Sequence, residues 1–529
     1  MKKLLLLAAC FYLIGMQAWA QPATVSYPFA VGTSNNCTGG TQEIHYYTYN
    51  GATNTIRDAA GGLVVSGVPQ LRIGGAANGT QRFTSNYSSV SFNPRDHNIY
   101  YFWTAVSGPL APGGIPRTYA WRWPVGTYPL NAAAKLDTLR SFPADILGVA
   151  FDNNGNGYSI EFTNPLPTVP VTYKPLLRSL NFVTGAIGGA DTLNLTGGAR
   201  IYQQGSGDVA MSPSGQMFFV VNNKLFTPNY LGYSGTGANL TCTYIDTVRT
   251  TGNFVGLTYG DGEAIAAFSG TVAGVQCPFQ QITLLTAANT PITKFGGSVR
   301  SASDMASVVS GVGAAKRLVS VTPTATPNQY NVVYEIVVKN YGNMDITNLQ
   351  VTDDLGLING NANVSNVSVT IPVNPNLYTV NPLYTGEGPL PINYNLLNGS
   401  PTLPNYPAAS SSFTIRISCR LSNIQSGVVY NNSAVVTARD FNSNNLRDSS
   451  TNGSLPDLNS NDKPDDAGEG QPTPLLITVP ALTPPCVTLV RVLYSQNFGT
   501  GTGLTATIPA AVLGAGVSVG TATTGYASS

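Results

Sequence analysis

One motif constrains this chain more than any other: DVAMSPSGQMFFV (residues 208–220), an apolar run, a Ser-Pro-Ser-Gly turn and a second apolar run. Looser copies stand at VSFNPRDHNIYYF (90–102), VAFDNNGNGYSI (149–160) and VGLTYGDGEAIAAF (255–268). In each, two strand-length runs meet through Asn, Asp, Gly or Pro, residues that reach positive φ or hydrogen-bond their own backbone, so each predicts a β-hairpin. With Val90, Val149, Val209 and Val255 equivalent, the copies fall 59, 60 and 46 residues apart. That is close to the roughly 40 to 50 residues of propeller blades, with the excess placed in loops. One hairpin cannot bury both its faces, but a ring of four-stranded blades can. The expectation is an all-β chain opening with a β-propeller of about six blades, or seven.

Composition agrees with an exported β-protein. The 529 residues include 56 Gly, 36 Pro and 27 Tyr, and only 10% are charged. No segment sustains a 3.6-residue period free of Gly, Pro and β-branched interruptions, which excludes long helices. With 26 basic and 25 acidic residues and no basic cluster, no field attracts nucleic acid or anionic lipid. At the amino terminus Lys2 and Lys3 precede an apolar run from Leu4 to Met16, and Ala18-Trp19-Ala20 forms a small-residue cleavage site. Residues 1–20 therefore read as a secretory signal peptide. The alternative is Leu7-Ala8-Ala9-Cys10, which resembles the lipobox of acylated lipoproteins. Too few residues separate Lys3 from Cys10 for the roughly 7 to 15 of a normal apolar region, and the run continues past Cys10. No later stretch reaches the roughly 18 apolar residues of a membrane helix, so no transmembrane segment is expected. Past the signal stand Cys37, Cys242, Cys277, Cys419 and Cys486. Cys242 with Cys277 is the favoured disulfide, each lying beside an apolar strand, and no C-x-x-C offers a redox or zinc motif.

The propeller reading covers residues 22–310, where EIHYYTYN (43–50), YAWRW (119–123), LLRSLNFVTGAI (176–187) and QQITLLTAAN (280–289) suit the outer strands of blades. In its recurring phrase the region resembles exported bacterial propellers of the WD-repeat-like and lactonase-like kind. SASDMAS (301–307) resembles the stretch that closes such a propeller before an immunoglobulin-like domain in multidomain surface proteins of Bacteroidetes type. Residues 311–315, GVGAA, read as a linker. Residues 314–480 form the next domain. YNVVYEIVVKNYGNMDITNLQVTDDL (330–355) predicts two paired strands of a sandwich about an Asn-Tyr-Gly-Asn turn, with Val332, Tyr334, Ile336 and Val338 on one face. Further strands are expected at 367–371, 412–420 and 432–438. EIVVKNYGN, LQVTDDL and VVYNNSAVVTARD together resemble the conserved-repeat, immunoglobulin-like domain of unknown function, number eleven, found in tandem on bacterial surface proteins. The long insertion between Ile371 and Ser410 departs from shorter examples. The resemblance implies a structural or adhesive role with no catalytic residues. After the Pro-rich TVPALTPP, residues 484–529 hold an incomplete β module whose VRVLYSQNFGTGTG resembles the opening strand of jelly-roll modules.

One segment offers site chemistry. In DFNSNNLRDSSTNGSLPDLNSNDKPDD (440–466), Asp457, Asn459, Asn461, Asp462 and Asp465 place oxygen donors at near-alternate positions, a set that Ca²⁺ accepts in flexible geometry. The other reading is a solvated Asx-rich loop whose side chains make local turns. The run from Asp152 to Gly157 divides the same way. His45 and His97 stand apart from any nucleophile or metal spacing, and no G-x-S-x-G, H-E-x-x-H or nucleotide fingerprint occurs. Tyr119, Trp121 and Trp123 suit either sugar stacking or packing between blades. The expected function is a secreted or cell-surface, non-enzymatic binding and adhesion protein. Its propeller would carry an extracellular protein or glycan ligand on a sandwich stalk, with no cofactor beyond calcium. The rival is a propeller-type hydrolase or lyase acting on extracellular polysaccharide. Carboxylates and His around the central channel would favour the rival.

Overall fold

The computed structural model describes residues 23–477 apart from segments between strands, the longest being 66–87, 126–136 and 163–172. The chain divides into Met1–Thr478 and Val479–Ser529, and every described residue belongs to the first unit. The signal peptide, Cys10 and the incomplete module at 484–529 lie outside the described residues.

The alternating runs form antiparallel hairpins as their turn residues dictate. β1 (Thr24–Thr33), β2 (Glu43–Asn50) and β3 (Thr55–Val65) make a meander. β4 (Ser88–Asn93), β5 (Asn98–Ala105), β6 (Arg117–Pro124) and β7 (Asp137–Phe142) form a sheet in sequence order. The next group is β8 (Val149–Phe151), β9 (Gly157–Phe162), β10 (Pro175–Asn181), the short β11 (Ala186–Ile187) and β12 (Asp191–Leu195). β13 (Gly207–Met211), β14 (Met217–Val221), β15 (Lys224–Pro228) and β16 (Asn239–Thr247) follow, with β16 parallel to β12. β17 (Asn253–Gly260) and β18 (Glu263–Ser269) precede a small hairpin of β19 (Thr271–Val272) and β20 (Val275–Gln276). Their sheet is completed by β21 (Phe279–Ile282) and β22 (Asn289–Pro291), after which β23 (Thr293–Phe295) runs parallel to β3.

The last element of this region, β24 (Ser301–Pro323), pairs through its first half with β1, giving a group β24-β1-β2-β3 built from both ends of the region. The leading strands touch in the order β24, β4, β8, β13, β17 and back to β24, which closes a ring. Five such groups stand among the described residues, against the six or seven expected from spacing. What looks like an incomplete repeat at each end of the region is one group split between them. In the fourth copy Leu257, not Val255, takes the place of Val90, Val149 and Val209, because an irregularity between Phe254 and Gly256 shifts the register of β17. Aromatic rings fill the space between neighbouring groups, with Tyr100 of β5 4.7 Å from Phe151 and 5.2 Å from Phe182.

The second half of β24 passes directly into a two-sheet sandwich. It pairs with β25 (Tyr330–Asn340), which pairs with β28 (Ser412–Leu421), which pairs with β27 (Val364–Val373). Facing them are β26 (Thr347–Asp353), β30 (Ala434–Arg439) and β31 (Asn445–Ser449), with the pair β29 (Val429–Asn432) and β33 (Thr473–Leu476); β32 (Thr451–Asn452) lies parallel to β24. Val332, Tyr334, Ile336 and Val338 share the inner face as their alternation predicts, packed in one core with Leu349, Val351, Val436 and Leu446. Burying such a face is what stabilises an antiparallel sheet. Two readings are corrected. β25 and β26 do not pair: the turn between them crosses from one sheet to the other. Residues 311–315 are not a linker either. They lie inside β24, where the pairing passes from β1 at Gly311 to β25 from Val312 onward, with Val312, Ala314 and Ala315 buried.

Candidate functional site

The position just before Val90, Val149, Val209, Leu257 and Met305 sits at the ring axis, and it holds Ser89, Gly148, Asp208, Gly256 and Asp304. Where the side chain can accept, it takes a backbone N–H from the next group. Ser89 Oγ accepts from Val149 at 3.4 Å, Asp208 Oδ2 from Leu257 at 2.6 Å and Asp304 Oδ2 from Val90 at 2.6 Å. The second carboxylate oxygens accept from Val209 and Met305 on their own strands. A Cβ at Gly148 would lie 2.9 Å from Asp208 Oδ1, and one at Gly256 would lie 2.9 Å from the Asp304 Cα, so the two glycines make room for the two acids. Asp208 and Asp304 are buried and hydrogen-bond each other. Burial, then the charge of Asp304, pushes the Asp208 carboxyl well up, and burial also raises Asp304. Two carboxyls in contact away from water cannot both ionise, so the pair shares a proton. The cavity beside the inner strands, capped by Asn343 of the sandwich, holds about 30 Å³. That is room for water and none for a sugar ring. The axial acids thus act as staples between groups. Aligning DVAMS, DMASV, SVSFN, GVAFD and GLTYG by their second residue would have exposed this position from sequence.

The ring end carrying the hairpin turns is covered by the sandwich. Asn405 Nδ2 donates to Pro94 O at 3.0 Å and its Oδ1 meets His97 Nε2 at 3.1 Å. Asn343 accepts from Val309 N–H and donates to Ser307 O. Tyr27 Oη donates to Asp440 Oδ2, which lies in a turn built like that of Asp152. Asp152 Oδ1 accepts from the N–H groups of Asn154 and Asn156, and Asp440 Oδ1 from those of Asn442 and Asn444. Gly155 (φ 79°) and Ser443 (φ 65°) occupy the same left-handed position. The Asp152 to Gly157 run is therefore an Asx-stabilised hairpin turn.

The proposed calcium donors sit in this junction. Asp457 Oδ1 accepts from Ser460 N–H at 2.7 Å and its Oδ2 from Asp462 N–H at 2.8 Å. Asp462 Oδ2 reaches across to the Ser214 N–H of the third group at 2.8 Å, and Asp465 Oδ2 accepts from Ala23 N–H at 3.2 Å. Asn459 and Asn461 both donate to Asp466 Oδ2, and the Asn461 carbonyl accepts from Tyr259 Oη. Lys463 pairs with Asp261 at 3.3 Å and with Asp466 at 3.4 Å. The structure thus gathers all five residues, but spends their oxygens on backbone donors of the loop and the ring. Among the described residues no group of three or more His, Cys, Asp or Glu is placed to hold a metal ion. Cys242 is a free, buried thiol pushed up to about 12 by burial, so the pairing with Cys277 is not formed; Cys277 lies outside the described residues. His45 lies on β2 opposite Ala30. Tyr119 is half-buried on β6, which also carries Trp121 and Trp123.

A surface with room for a ligand opens elsewhere, in the insertion between β27 and β28. Asn374 folds a tight turn, accepting from Tyr378 N–H at 2.7 Å and donating to Tyr378 O at 2.7 Å. The turn holds Leu377 at φ 56° and 84% exposed. A positive φ is a strained choice for leucine, and an apolar side chain held in water by it gains nothing for the fold. Tyr378 Oη donates to Thr402 O at 2.7 Å, its ring packs edge-on to Phe413 at 4.8 Å, and burial pushes its hydroxyl up to about 12. Between this turn and residues 398–404 lies a cleft of about 510 Å³, lined by Asn376, Leu377, Tyr378, Asn398, Thr402 and three further neutral residues. That volume suits a small ligand, and no formal charge faces it. The sequence signalled only an insertion; the strained leucine needed the backbone to be seen.

No family model and no curated protein matches the chain. Among solved structures, the major pilin subunit of Bacillus cereus aligns at 12% identity and a TM-score of 0.20, over 37% of this chain and 66% of that one. The collagen adhesin of S. aureus aligns at 11% identity and a TM-score of 0.15, over 46% of this chain and 89% of that one. Likenesses this slight carry no argument. Function must be read from the geometry.

Proposed function

We propose that the chain is an exported, non-catalytic binding protein of the cell surface. In this reading a five-bladed propeller and an immunoglobulin-like sandwich form one body, and the cleft of the insertion takes a neutral extracellular glycan. The amino-terminal signal pattern supports export. The ring of four-stranded groups closed by β1 against β24 supports the propeller, and the two facing sheets support the sandwich. The observation that carries the binding reading is the neutral cleft of about 510 Å³ with Leu377 held exposed at its rim. Amide and hydroxyl groups beside an apolar surface match a sugar, which offers hydroxyls at its edge and C–H groups on its face. The alternative, a propeller hydrolase or lyase, needs substrate beside acids with access to water. The axial acids are buried next to a cavity of about 30 Å³. A propeller platform remains available at the ring end where the leading strands begin, since the sandwich covers the other.

The deciding experiment is a glycan array and a polysaccharide hydrolysis screen on the mature protein and on Leu377→Asp, a change at an exposed position. Binding by the wild type, lost at least tenfold in the variant, is the expected result. Binding unchanged in the variant moves the ligand to the free ring end. Release of product assigns the enzyme, and an array with no signal removes the glycan.

A further inference from the structure

The sandwich core holds one polar cluster that its apolar packing does not explain. Lys316, on β24, is 0% exposed, and its Nζ lies 2.5 Å from Oδ2 of Asp353, itself 1% exposed at the end of β26. The ring of Tyr334 covers the same ammonium at 4.6 Å. Beside them Asn432, 3% exposed at the end of β29, turns its carboxamide to Asp353, yet its Nδ2 has no hydrogen-bond partner, and neither does Asp353 Oδ1. Strand pairing fixes the neighbourhood. Asp353 stands opposite Ala434, two residues beyond Asn432, and Asn432 stands opposite Thr473, whose hydroxyl donates to the Lys316 carbonyl at 2.7 Å.

As a non-covalent arrangement this cluster is costly. A buried ion pair loses the hydration of both charges, and each unpartnered buried polar atom adds a further penalty. Burial dominates on both sides of the pair: it lowers Lys316 and raises Asp353. Both shifts favour the uncharged form of the pair, an amine beside an acid that can donate. An amine in that state is a nucleophile, and the side-chain amide of the cluster belongs to Asn432.

We propose that Lys316 and Asn432 are joined by an amide bond that forms spontaneously in the folded chain, with Asp353 as proton relay. The Lys316 Nζ lone pair attacks Asn432 Cγ, and one Nζ proton passes to Asp353 while the Asp353 proton passes to Nδ2. The Cγ–Nδ2 bond breaks, and Nδ2 leaves as ammonia. One C–N bond forms and one breaks, Asp353 ends as it began, and no oxidant, reductant or water is consumed. The atom expelled is the one left without a partner, and the charge removed is the one the core cannot solvate. The bond ties the first strand of the sandwich to the strand before β30.

The test is mass spectrometry on the full-length mature chain under denaturing conditions, with tryptic mapping. The wild type should weigh one ammonia less than its sequence and yield a branched peptide joining Lys316 to Asn432. Asp353→Ala, checked for folding by circular dichroism, should keep its full mass and give two separate peptides. Wild-type protein at its full sequence mass overturns the proposal. A loss of water with a branch at Asp353 overturns the choice of Asn432, and ammonia loss in folded Asp353→Ala overturns the relay. Should Asp353→Ala fail to fold, Asn432→Asp keeps the carbonyl and changes the leaving group; a branched peptide there with the loss of one water supports the same Nζ–Cγ bond, and linear peptides at both positions count against it.

Discussion

Asp208 and Asp304 set the pH response of the ring. Their shared proton is held only in the folded state, because burial raises both carboxyls above the ordinary carboxylate value of about 4 and the charge of Asp304 raises Asp208 further. Between that value and the raised one the folded chain binds more protons than the unfolded chain, so this contribution to stability is complete in acid and falls as pH rises. Asp304→Asn supplies a permanent hydrogen to Asp208 and removes one titration. Urea unfolding from pH 4 to pH 8 should show the wild type losing stability relative to the variant as pH rises, while Asp448 and Asp353, also raised by burial, act alike in both. Parallel profiles would deny the shared proton. At this scale the sequence was legible where chemistry is local, and illegible where it is not. Asp152 and Gly155 announced their turn, since both contacts are made within five residues. Gly311 and Gly313 announced flexibility and do the reverse: a Cβ at Gly313 would meet Pro464 at 2.7 Å and Tyr341 at 2.8 Å. Those partners are remote in the chain, so nothing local marks the glycine as a packing residue.

The acidic loop at 457–466 is the element for which the sequence left two readings open. A run of Asp and Asn with few apolar residues suggests either a cation or open solvent, because like charges gather only at a price. The loop escapes that choice by giving its carboxylates to N–H groups, two of them on other elements, Ser214 and Ala23. Its order therefore should not need metal. Combining Asp457→Ala with Asp462→Ala leaves at least two buried or part-buried backbone donors unpaired, each worth about 1.5 to 3 kcal/mol when bound to a carboxylate. The double variant should melt clearly below the wild type in calcium-free buffer, and millimolar Ca²⁺ should move neither curve. A calcium-dependent rise in the wild type that the variant lacks would restore the metal site. Most strands were legible: 367–371 and 412–420 fall on β27 and β28, while 432–438 straddles the end of β29 and most of β30, with Ser433 in neither. Their partners were not, because alternation reports a face and says nothing about which edge is occupied, and β25 and β26 are separated for that reason.

At the scale of the molecule, the repeated hairpins and the alternating strands after them were both visible as patterns, but the boundary drawn between them at 311–315 does not exist as a joint. β24 crosses it as one strand of 23 residues. The consequence is one of parity. Successive residues of a strand face opposite ways, so the direction in which Asp304 points at the axis and the direction in which Lys316 points into the sandwich are set by the same count. Adding one residue at 310 would leave either half individually well formed and the two mutually inverted, with Lys316 turned out to solvent or Asp304 turned off the axis. Adding two would restore the facing and displace the clasp at Ser214 by a full pleat repeat. A single inserted alanine at this point should therefore cost more stability than one inserted in the exposed turn at 325–328, by urea denaturation. The strand is in this sense a ruler, and its length between the two marks is not free to drift.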